Sequence, residues 1–90
     1  MSEQDGTALV KAANAGDSDA IQGQLALGVP VDARNKTGWT ALMCVANGGH
    51  LELVQSLAER GADVNARNFS GWTPLMWAAL KGFAEIVRFL

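Results

Sequence analysis

The chain has 90 residues, with nine acidic and seven basic side chains, so its length suits one small domain and its net charge is −2. That near balance leaves no electrostatic footprint for nucleic acid or for an anionic membrane. Cys44 is the single cysteine, which rules out an internal disulfide and points to a reducing compartment.

The start, from Met1 to Gly6, is acidic and polar and lacks the basic and apolar regions of a signal peptide. The pattern then predicts six short helices near residues 7–15, 18–26, 41–48, 51–60, 74–81 and 84–90. In the third, Thr40 is placed to cap orphan N–H groups with its hydroxyl. Leu42, Val45 and Ala46 then recur at the spacing of a buried stripe, and Gly48-Gly49 stops the helix. The fourth carries Leu53, Val54, Leu57 and Ala58 as its apolar residues and ends at Gly61. Turns rich in Asn, Asp, Ser and Gly are expected near residues 33–38 and 66–71. The fifth opens on Pro74, a residue suited to the first helical position. Nowhere does an apolar run approach the ~20 residues that cross a bilayer. A soluble, cytoplasmic protein without membrane insertion is the expectation.

The elements repeat. Sliding the sequence by 33 residues places Gly38-Trp39-Thr40 on Gly71-Trp72-Thr73, Leu42-Met43 on Leu75-Met76, and Ala46 on Ala79. The same offset upstream places Thr7, Leu9, Ala13 and Gly16 on Thr40, Leu42, Ala46 and Gly49. One such helix pair cannot bury its own apolar face, and stacking on a neighbour solves that.

These residues closely resemble the ankyrin repeat. The second unit, from Asn35 through Gly38-Trp39-Thr40-Ala41-Leu42 to Gly48-Gly49-His50, carries the family pattern and closes on Gly61-Ala62-Asp63-Val64-Asn65-Ala66. The third repeats it from Asn68 to Leu90. The resemblance implies an all-α solenoid of stacked helix–turn–helix units with projecting hairpin turns. It also implies one domain over 1–90, with repeats at about 2–34, 35–67 and a truncated 68–90. Three departures stand out. The first unit is degenerate, as suits a capping repeat. Met43 and Met76 replace the family's histidine and are expected to fill its space. The helix at 84–90 ends without a stop signal, so either a continuation past Leu90 or a covering copy is expected.

In the ankyrin fold the first helices line a concave face with the hairpins beside it. With the apolar stripe buried, Cys44, Asn47 and Gly48 fall on another helical face; their equivalents are Lys11, Asn14 and Ala15, and Trp77, Leu80 and Lys81. These positions vary over a constant scaffold, as a recognition surface does. The hairpins add Lys36, Thr37 and Trp39 in one turn and Phe69, Ser70 and Trp72 in the next. Trp39 and Trp72 read either as aromatic anchors or as rings packed on their own hairpins. The expected partner-binding residues are therefore Lys36, Trp39, Cys44, Asn47, Phe69, Trp72, Trp77, Leu80 and Lys81. The partner expected is a protein segment combining apolar and acidic residues. Self-association through the C-terminal face, or a role as the N-terminal part of a longer multidomain chain, are the alternatives. One His and one Cys make no metal set, no carboxylates have calcium-loop spacing, and no triad has a pocket to work in; neither an enzyme nor a cofactor is expected. Asn65 resembles asparagines that are hydroxylated in ankyrin proteins, though such a residue also shapes a turn.

Overall fold

The structure is a computed structural model that describes residues 6–90; the expected start of the first unit, at residues 2–5, lies outside them. Six helices follow one another: α1 Thr7–Asn14, α2 Ser18–Ala26, α3 Ala41–Gly48, α4 Leu51–Glu59, α5 Pro74–Lys81 and α6 Ala84–Phe89. Each expected helix is present to within a residue at either end. They pair as α1–α2, α3–α4 and α5–α6, and the first helices of successive pairs stand side by side. No strand occurs among the described residues.

Local chemistry sets the boundaries. The hydroxyls of Thr40 and Thr73 accept from the N–H groups of Met43 and Met76, each capping its helix. Such caps contribute ~1 kcal/mol. Met43 does more than fill space, because its sulfur accepts the Thr40 N–H at 3.4 Å. Gly49 and Gly82 end α3 and α5 in the left-handed conformation, at φ of 78° and 77°.

The core runs along the inner helices. Leu9, Ala13, Leu42, Val45, Ala46 and Ala78 pack there, with Ile21, Val54, Leu57 and Ile86 arriving from the second helices. Helix α3 lies between α1 and α5, so every residue from Ala41 to Ala46 is buried. The third pair lacks a neighbour on its far side, and its side chains differ accordingly. Leu42 is 1% exposed and Met43 0%, whereas Leu75 is 41% and Met76 40% exposed. The repeat register aligns Leu75 with Leu42, yet the position is buried only when another unit covers it.

A second signature marks the same asymmetry. A Cβ added to Gly49 would come within 2.8 Å of the Phe83 ring, and one added to Gly38 within 2.6 Å of the Phe69 ring. The ring of each later unit thus sits on the glycine of the unit before. At the matching Gly82 and Gly71, nothing lies within 4 Å.

Candidate interaction surface

The hairpin between α2 and α3 is held by Asn35. Its side-chain oxygen accepts from the N–H groups of Thr37 and Trp39, at 3.0 and 2.9 Å. Asn68 does the same for Ser70 and Trp72, at 2.9 and 3.0 Å. Arg34 ties one hairpin to the next, donating to the carbonyls of Gly38 and Arg67, both at 2.7 Å. These bonds fix the backbone from which Trp39 and Trp72 project.

Both rings turn toward α5. Trp39 stacks on Trp77 with centroids 4.9 Å apart, and Trp72 stacks on it at 4.5 Å, each pair at 27°. Neither of the two sequence readings anticipates this. The hairpin tryptophans join Trp77 in one aromatic cluster across two units. Offset stacking adds ~0.5–1.5 kcal/mol per pair beyond burial. The Nε1–H of Trp77 is buried with no hydrogen-bond partner among the described residues.

Beside the cluster lies a groove of about 280 Å³. Helix α1 contributes Thr7, Val10, Lys11 and Asn14; the hairpin gives Asn35, Thr37 and Trp39; and α3 gives Cys44 and Asn47. Trp39, Cys44 and Asn47 were expected on a binding surface. Thr37 was expected among the hairpin positions, and Asn35 is legible as a turn residue. Lys36, Phe69, Leu80 and Lys81 are exposed nearby in the chain but do not line this groove. Phe69 leans on Gly38 of the preceding hairpin, so part of its ring has a structural task.

Cys44 needs correction. It was expected on an open helical face, yet it is only 5% exposed, because α3 is covered on both sides. It borders the groove without offering much surface. Burial pushes its thiol up from 9.0 to about 11. The unfolded chain ionises near the ordinary value and the folded one only higher, so this contribution to stability is lost as pH rises from about 9 to 11. Cys44→Ala is expected to flatten that alkaline loss in denaturant melts. Alkylation of the folded chain at pH 8 should be slower than that of the urea-unfolded chain; equal rates would contradict the burial.

The charges are sorted by element. The helical acids Asp19, Glu52, Glu59 and Glu85 all sit on α2, α4 or α6. Helices α1, α3 and α5 carry only Lys11 and Lys81. Among the described residues no group of three His, Cys, Asp or Glu could hold a metal ion, and no helix is long and apolar enough to cross a membrane.

A family model for ankyrin repeats matches residues 4–90, in three copies. The chain belongs to the ankyrin-repeat family. Helix pairs, capping threonines and glycine stops in this ankyrin chain are the physical content of that match. Ankyrin repeats are generally protein-interaction modules and typically non-catalytic. Among curated proteins, none matches the chain.

Proposed function

We propose that this ankyrin chain is a non-catalytic interaction module that holds a partner protein on the face made by α1, α3, α5 and the hairpins. One observation carries the reading. The Trp39–Trp77–Trp72 cluster and the adjoining groove form a surface from which every helical acid is absent and on which Lys11 and Lys81 project. Rigid aromatic rings and a cationic border suit a segment combining apolar and acidic residues. Trp77, Trp39 and Trp72 supply the anchors, Leu80 and Phe69 the apolar flanks, and Asn47 a hydrogen-bonding carboxamide; Lys36 and Lys81 steer association.

The test needs a verified partner. Trp77→Ala is expected to weaken binding by about 2 kcal/mol, and Lys81→Ala to slow association mainly at low salt. Thermal melts of both variants separate lost affinity from lost fold. Unchanged affinity in both folded variants would rule the surface out.

A second reading rests on the far side of α5 and α6. Leu75 and Met76 are exposed there, and the glycines Gly71 and Gly82 stand uncovered. Self-association through this face would bury that apolar area. Sedimentation over a wide concentration range decides it: a chain that stays monomeric throughout does not use this face for its own copies.

A further inference from the structure

The groove between α1 and α3 has a chemistry narrower than the surface around it. Among the described residues Lys11 is its only cation, and no acid lines it. The Asn35 oxygen is taken up within the hairpin, where the Thr37 hydroxyl donates to it at 3.0 Å. Lys11 and Asn14 are exposed on α1, where a ligand can reach them. The oxygen of Asn47 is buried without a hydrogen-bond partner among the described residues, an acceptor still lacking a donor.

Asn14 and Asn47 share one register, 33 residues apart. A carboxamide has a donor side and an acceptor side, as a peptide group does. Packed helices stand about 8–10 Å apart, so a segment crossing from α1 to α3 passes one register position and then the other. The third unit has Leu80 at this register, next along the helix from Trp77 by one turn. The row therefore changes from amide to apolar along the stack. Trp39 makes a firm wall for the groove, because its ring is stacked on Trp77 and its backbone is held by Asn35.

We propose that this groove is a subsite for an acidic residue. An extended partner segment sets an Asp or Glu carboxylate against Lys11, pairs its backbone with the exposed Asn14, and lays an apolar side chain on Leu80 further along. The inference rests on the binding face proposed above and gives that face a polarity, acid toward the first unit and apolar toward the third.

A display library of random dodecapeptides, selected on the whole chain at physiological salt, tests it. Selected peptides are expected to be enriched in Asp or Glu with an apolar residue a few positions away. Changing that acid to its amide, or Lys11→Met in the protein, should weaken binding about fivefold, equivalent to ~1 kcal/mol. Lys11→Glu should reverse the preference, favouring peptides with Lys in place of the acid. Asn14→Ala should weaken acidic and amide peptides alike. Lys11 and Asn14 are exposed, so melts of these variants should match the parent. Peptides that lose affinity with Trp77→Ala yet show no preference for the acid would refute the subsite while leaving the binding face standing. Peptides indifferent to Trp77→Ala and to every groove variant, or a library yielding none, would refute both.

Discussion

Leu42→Ala is expected to cost about 2–5 kcal/mol of stability, and Leu75→Ala, at the same register one unit later, well under ~2 kcal/mol. The side chains are chemically identical and so are their places in the helix. What differs is the covering. Leu42 is 1% exposed between α1 and α5, so truncation leaves a cavity that surrounding helices cannot fully close. Leu75 is 41% exposed and gives up less buried surface, and water occupies the space it leaves. Urea melts would read the difference as a shift in midpoint at unchanged slope. Equal losses would mean that the third pair is buried in solution and that something covers its outer face.

The glycine pair Gly49 and Gly82 tests the same stacking from the backbone. Both are left-handed, so alanine costs ~1–2 kcal/mol at either from conformation alone. At Gly49 the new methyl also meets the Phe83 ring at 2.8 Å, and that overpacking adds ~1–3 kcal/mol. At Gly82 nothing lies within 4 Å. Gly49→Ala should therefore unfold at markedly lower denaturant than Gly82→Ala. The double change Gly49→Ala with Phe83→Ala should be less damaging than the sum of its parts, since the clash disappears with the ring. Additive losses would show that Phe83 does not rest on Gly49.

Much of this was legible in the residues. Thr40, Pro74, Gly49 and Gly61 punctuate helices through hydrogen bonds and backbone conformations that depend on their immediate neighbours alone, so the boundaries could be read directly. Burial across units could not. Whether Leu75 is covered depends on what stands beside α5, and whether Cys44 faces water depends on α1 and α5 closing over α3. Periodicity assigns each residue to a side of its own helix but says nothing of which sides a neighbour occupies.

The interaction surface divides along the same line. Trp39, Trp72 and Trp77 each stood out as aromatic residues at repeat-variable or hairpin positions. Their union into one cluster depends on side-chain directions set by two hairpins and a helix together. The groove joins α1 to α3 and the hairpin, three segments spread from Thr7 to Asn47. The 33-residue offset already set Lys11 and Asn14 level with Cys44 and Asn47, but the concavity between them depends on how α1 and α3 pack.

The most direct test of partner binding through this face is chemical-shift mapping of the chain against the tightest peptide from the dodecapeptide library. Trp39, Trp72 and Trp77 carry indole N–H groups, and Asn14 and Asn47 carry side-chain amides, so each can be followed individually. The expected result is saturable shifts at the three indoles, at Asn14 and Asn47, and at the backbone of Lys11 and Leu80. Shifts confined to Leu75 and Met76, with the indoles unmoved, would contradict it and place binding on the outer face of the third unit.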